Sequence, residues 1–350
     1  MSSTRTPSRR TFAAARTSTP RRLLGRRSVQ LTVLAWLAAV IVVLATAGDA
    51  LPFDWPDRGT GAPSVSRTLI DVHLVMPEIL LLSCVVWWLT RRRIRPDLAE
   101  RAPERTVALR ETLLLLGYGA AALALGYAVA PLFGWHPFGL HLAGTLYGTH
   151  EHVSPAEAIA WAHYNVIVYA VVPLVYFRSR YRAEDLGLVS TDRRSDARVI
   201  GVVLAIEAVV QYFALRPEIF DLGARQLAIG VPLTFVLYLA GAVLPAMVFI
   251  HAILVPRFMR LTGSVASTVI LGGLMYAVLH VWDAWTVFDT PGDAVLSVVF
   301  LLFTYFLPGM FKTVLTVRTG NAWVHVWAYH AFAPHTLADT PHVVHVFGVE

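Results

Sequence analysis

The chain has 350 residues, 56% hydrophobic and 15% charged, with a formal net charge of +6 and a mean hydropathy of +0.58. A soluble domain carries about 25% charged residues, so the composition excludes an ordinary soluble protein and points to a membrane one. Lys312 is the one lysine, and the arginines lie in loops between apolar runs rather than in one patch, which argues against a nucleic-acid partner. Cys84 is the one cysteine, so one chain can build neither a disulfide framework nor a thiolate zinc site.

Residues 1–28 are polar and arginine-rich without apolar periodicity, and read as a disordered basic cytoplasmic tail. Ser8-Arg9-Arg10-Thr11-Phe12 resembles a twin-arginine export signal, but Arg16 interrupts the apolar stretch that should follow. Ala45-Thr46-Ala47 has the small-residue pattern of a cleavage site. The run before it, 29–47, exceeds the roughly 7–15 residues of a signal core, so a retained helix is expected. Further apolar runs at 69–90, 107–132, 157–177, 199–215, 226–255, 264–287, 294–311 and 320–335 each approach the roughly 20 residues that span a bilayer. The last is short and breaks at Pro334, so the expected fold is all-α, a polytopic transmembrane helix bundle of eight or nine spans.

Eight arginines precede the first run, seven lie from Arg91 to Arg110 and six from Arg178 to Arg198, against two and none in the intervening loops. Under the positive-inside rule that alternation puts the N-terminus and both basic loops in the cytoplasm, with the chain in the cell membrane among lipids. The domains that follow are the tail at 1–28, an N-terminal group of transmembrane helices at 29–178, a basic cytoplasmic loop at 179–198, a second transmembrane unit at 199–335 and a short tail at 336–350.

The outer loop from Gly134 to Pro155 carries His136, His141, His150, Glu151 and His152, followed on the next span by Glu157 and His163. Two readings stay open: solvated side chains without a specific task, or a metal-binding or pH-sensing rim, since histidine titrates near pH 6.5. Asp71 and Glu78 are seven apart and share a helix face, with a kink expected at Pro77. Glu111 sits at a cytoplasmic helix end, where a surface position is expected. Glu207 lies mid-run with Gln211 one turn on; a carboxyl there is protonated, paired or aimed into a cavity, in a structural role or in a site.

Two membrane-depth runs each carry an inward histidine. Tyr276, His280 and Asp283 fall at i−4, i and i+3 and share one face; Trp327, His330 and Pro334 do the same further on. His325 precedes His330 by five residues, about 140° away around an α-helix, and is expected to point elsewhere. An ionisable residue at bilayer depth marks a pathway, a metal or chemistry, although each histidine alone could simply join two helices through a hydrogen bond worth about 1 kcal/mol. Imidazole and carboxylate ligands from His280, His330 and Asp283, with Glu207 as a further candidate, would suit a divalent metal such as zinc. No HExxH pattern, serine elbow or phosphate loop occurs. The roles of His335, His342 and His345 stay open.

From about Asp185 to Pro334, less than half of the chain, these residues resemble the CPBP intramembrane proteases, the family of the CAAX prenyl proteases and bacteriocin-processing relatives. Asp185-Leu186-Gly187-Leu188 looks like the juxtamembrane stretch leading into that family's core. Tyr276-x-x-x-His280 matches its second motif, Phe-x-x-x-His. Arg318-Thr319-Gly320 followed by His330 resembles the approach to its last motif, His-x-x-x-Asn, with Pro334 in place of Asn. The first motif, a glutamate pair followed by Phe-Arg-Gly, corresponds to Pro245-Ala246-Met247-Val248-Phe249-Ile250-His251, which keeps Phe249 alone.

The resemblance implies an intramembrane peptidase core acting on a membrane-embedded or prenylated peptide, with His280 and His330 polarising the scissile carbonyl. It also implies that the glutamate which activates water is missing. A positioned base contributes about 10²–10⁴-fold and Ala246 cannot supply one, leaving Glu207, Asp283 or His251 as weak candidates. A degenerate protease homologue is therefore expected first. The alternatives are a non-catalytic protein that binds a peptide, lipid or partner helix in the old cavity, and a metal-binding membrane protein.

Overall fold

The computed structural model describes residues 26–48, 51–53, 64–142, 153–211, 217–283 and 285–350; the tail at 1–25 and His150, Glu151 and His152 lie outside them. Among the described residues every regular element is helical. Six helices are long and apolar enough to cross a membrane: α1 Arg27–Thr46, α2 Val65–Leu89, α3 Arg105–Phe133, α4 Pro155–Arg178, α6 Ala224–Thr262 and α8 Pro291–Thr319. Between them lie α5, Arg193–Val210, whose first turns carry Arg193, Arg194, Asp196 and Arg198, and α7, Val265–Val278. The 14 residues of α7 reach only about 21 Å at 1.5 Å per residue. A final run at 323–346, α9, consists of short pieces ending in Ala338–Val346. This is the build of a multi-pass membrane protein, with six helices meeting the length and hydropathy requirement.

Of the apolar stretch of α6, 67% is buried inside the protein, against 6% for α1. α6 is thus the core helix, enclosed from Pro245 to Val255, while α1 leaves Leu31, Leu34, Leu37, Ile41 and Leu44 exposed, as a lipid-facing helix does. α7 and α8 pack antiparallel at close range because Gly272 and Gly273 face Thr313, Met310 and Phe306, and Gly309 faces Tyr276. Small residues let helix backbones approach, and here they bring Tyr276 against α8.

α2 is interrupted at Leu74. Pro77 lacks an N–H and its ring crowds the carbonyl four residues back, so the break falls one turn before the proline. The interruption separates the two acids expected to share a face: Asp71 pairs with Arg67 at the surface, 3.2 Å, and Glu78 turns toward Glu207. Glu111 is not a surface residue either. Its carboxylate accepts from Nε and Nη2 of Arg257 at 2.9 and 2.7 Å and from the Tyr181 hydroxyl at 2.7 Å.

The basic end of the protein is closed by a polar layer. Arg93 donates to Asp196 and, at 2.7 Å, to the Thr319 carbonyl; Asn321 Nδ2 donates to Asp196 at 2.9 Å. Gly187 and Gly320, with φ of 64° and 66°, occupy left-handed positions that only glycine enters freely. The Ala322 N–H donates to the Gly187 carbonyl at 2.8 Å. The Asp185–Leu188 and Arg318–Gly320 stretches, far apart in sequence, are thus joined.

Candidate functional site

The last helix is wound differently from an α-helix. Val326–His330 and Phe332–Leu337 are π-helical, with the Ala331 N–H bonded to the Val326 carbonyl at 2.8 Å and Thr336 N–H to Ala331 at 3.3 Å. Bonds from i to i+5 bring residues five apart onto one side. His325, His330 and His335 therefore form a column, with ring centroids 5.7 and 5.0 Å apart. This overturns the expectation that His325 points away from His330; the 140° separation belongs to a helix of 3.6 residues per turn.

Other elements extend the column at both ends. The π-helical stretch Met247–Leu254 of α6 sets His251 4.0 Å from His325, with Nδ1 3.3 Å from the Thr316 hydroxyl. Beyond His335, His141 lies 5.0 Å away and His280 4.4 Å further on. The loop carrying His141 is held by Leu140 N–H to the Leu279 carbonyl, 3.0 Å. All six histidines are buried. His280 stacks on Tyr305 at 3.7 Å, and the Tyr305 hydroxyl donates to Asp283. Tyr276 stands beside the column, its hydroxyl 3.1 Å from His330 Nε2 and the Lys312 amine 3.5 Å over its ring.

Hydrogen bonding sets some of the ring protons. His280 Nδ1 is 2.7 Å from the Tyr276 carbonyl oxygen, an acceptor only, so Nδ1 carries the proton and the neutral ring presents a bare Nε2. That nitrogen is buried without a partner in the protein, as are His141 Nε2, His251 Nε2, His330 Nδ1 and both nitrogens of His325. His335 Nδ1 faces Asp339 at 3.1 Å. Leaving such groups dry costs about 1–3 kcal/mol each, so the interior is built for something that hydrogen-bonds. We expect ring ¹⁵N spectra of the purified protein to show His280 protonated at Nδ1 and bare at Nε2; the opposite tautomer would remove this assignment.

The residues singled out in the sequence separate into two places. His280 and His330 both contact Tyr276, 4.5 and 5.6 Å between ring centroids, and Asp283 lies beside His141, 4.0 Å from its Nδ1. Glu207 is bonded elsewhere: it accepts from Gln211 at 3.1 Å and lies near Glu78 and Lys312. Among the described residues no group of three or more His, Cys, Asp or Glu side chains is placed to hold a metal ion. His330 is turned to Tyr276, and Asp283 to Tyr305 and His141.

Among the described loop histidines, His136 bonds Glu157 through Nδ1 at 2.8 Å, while His141 turns inward. Trp327 faces Phe235 rather than the column, 6.4 Å ring to ring. Pro245 and Ala246, at the positions matching the glutamate pair, are buried in α6 immediately before the π-helical stretch that carries His251. His141, His335, Tyr305 and Lys312 were missed from the site. The five-residue spacing of His325, His330 and His335 was a readable signal for one of them; His141 had none beyond its position in a histidine-rich loop.

No family model matches this chain, and neither a curated protein nor a solved structure matches it.

Proposed function

We propose that the chain is a multi-pass protein of the cell membrane, with eight or nine spans and a cytoplasmic N-terminus, built on a CPBP-like core. In this reading the core has lost the glutamates that activate water and engages a membrane-embedded peptide, prenylated or helical, without glutamate-dependent hydrolysis. The observation that carries it is the meeting of the segments behind the resemblance. Tyr276 from α7, His280 from the turn that follows it, His330 from α9 and His251 from α6 all line one interior, while Pro245 and Ala246 stand where the acids would be.

The hydrogen bonding favours binding over catalysis. Polarising a carbonyl needs an N–H donor, yet the proton of neutral His280 is committed to the Tyr276 carbonyl. Its bare Nε2 accepts instead, which suits a peptide N–H or a side-chain hydroxyl. Among the described residues no carboxylate hydrogen-bonds His280 or His330 to serve as a base.

A photoactivatable farnesylated peptide incubated with the purified protein tests this. Saturable labelling, at least tenfold weaker in His280→Ala, with no cleavage product, is the expected result. Cleavage by the wild-type protein that His280→Ala abolishes would show a working peptidase instead, and unsaturable labelling would remove the peptide reading.

A further inference from the structure

The column and its extensions form one continuous file. From His251 through His325, His330, His335 and His141 to His280, successive ring centroids are 4.0, 5.7, 5.0, 5.0 and 4.4 Å apart. Its direction follows from α8, which it flanks: Tyr305 stacks on His280 at one end and Thr316 contacts His251 at the other. Eleven residues of helix separate those contacts, about 16 Å at 1.5 Å per residue, more than half of a hydrocarbon core of about 30 Å. Past His251 the basic end continues into the Asn321–Asp196–Arg93 layer. Past His280, Asp283 leads into a loop whose residues are exposed by Phe288.

We propose that these six imidazoles form a proton relay running through the protein. A neutral imidazole takes a proton on one nitrogen and releases one from the other, so a file of neighbouring rings whose unpaired nitrogens are bridged by water can pass protons along its length. One proton enters at one end and one leaves at the other, driven by the transmembrane potential, with no redox partner.

Ionisable groups facing the file fit this task. Asp283 stands beside His141 and near the Tyr305–His280 end. Asp339 contacts His335 at mid-file. The Lys312 amine covers Tyr276 and lies near Glu207, beside the path rather than a link in it. Helix-joining histidines would leave fewer unpaired nitrogens than this interior does. A metal route would need clusters of three or more ligands, and the described residues form none.

Proteoliposomes holding a pH-sensitive dye, with a potassium gradient and valinomycin to impose a potential, test the relay. Wild-type protein should acidify or alkalinise the lumen, according to the sign of the potential, at least tenfold faster than protein-free vesicles. His141→Gln and His335→Gln should each remove at least nine-tenths of that flux. Tyr169→Phe, which alters a buried hydroxyl off the file, should leave it unchanged. Flux equal to that of protein-free vesicles, or flux surviving both glutamine variants, would overturn the proposal. So would stoichiometric zinc that co-purifies with wild-type protein and is lost in His335→Gln.

Thermal unfolding in one detergent serves as the fold control, because it reads the fold without reference to the site. Variants that lose flux and also melt earlier than wild type are misfolded, and His335→Asn and His141→Asn then decide the question by flux and melting together. Flux without any wild-type labelling would keep the relay and remove only the peptide reading.

Discussion

Replacing Arg257 by leucine should lower the stability of the purified protein by about 3–5 kcal/mol, the cost of removing one partner of a buried ion pair. Arg257 is 2% exposed and Glu111 8%, and the guanidinium donates twice to one carboxylate oxygen. It also donates to the Ile253 carbonyl at 2.8 Å and lies over the Phe177 ring, 4.5 Å from its centroid. The leucine leaves a carboxylate with only the Tyr181 hydroxyl for company. The double variant Arg257→Leu, Glu111→Leu should recover most of the loss, because replacing both members of a buried pair by apolar residues is often nearly neutral. Thermal unfolding of the wild type, Arg257→Leu, Glu111→Leu and the double variant in one detergent measures this. Equal losses in the single and double variants would show that the pair contributes packing rather than charge compensation.

Gly241→Ala should cost about 3 kcal/mol, at the upper end of the range for overpacking. A methyl group on Gly241 would fall within the Trp161 ring, and Trp161 cannot simply swing away. Its indole N–H donates to the Gly139 carbonyl at 3.0 Å, and Asn165 joins the same carbonyl to that of Gly241 with two bonds of 2.8 Å. This knot fastens the loop that delivers His141 to α4 and α6. Trp161→Phe combined with Gly241→Ala should lose less stability than the two losses added together, since the smaller ring vacates the space. Strict additivity by thermal unfolding would show that the two positions do not compete for it.

The pairing of Tyr276 with His280 was legible because i and i+4 lie on one face of an ordinary helix, and the inward direction of His280 and His330 followed from the cost of polar groups at membrane depth. What stayed hidden had physical causes. His325 was misdirected because a 3.6-residue period was applied to a π-helical stretch. Glu111 read as a surface acid because its partner Arg257 is 146 residues away, beyond any local pattern. The acids of α2 were expected on one face, but Pro77 breaks the helix between them. Six of the apolar runs coincide with helices that meet the length and hydropathy requirement; 199–215 overlaps a helix that starts with charged turns, and 264–287 holds the 14-residue α7. The resemblance drew attention to His280 and His330, whereas His141 and His335 became visible only in three dimensions.

The winding of α9 makes that end of the molecule unusually sensitive to insertion and deletion. Removing a single residue such as Ala331 would turn everything downstream out of register with the i to i+5 bonding, carrying His335 off the ring of Tyr238, which it stacks on at 4.8 Å. Exchanging Ala331 for another small side chain would leave the phase of the helix intact. Along this segment the tally of residues between histidines matters more than the identity of most residues counted.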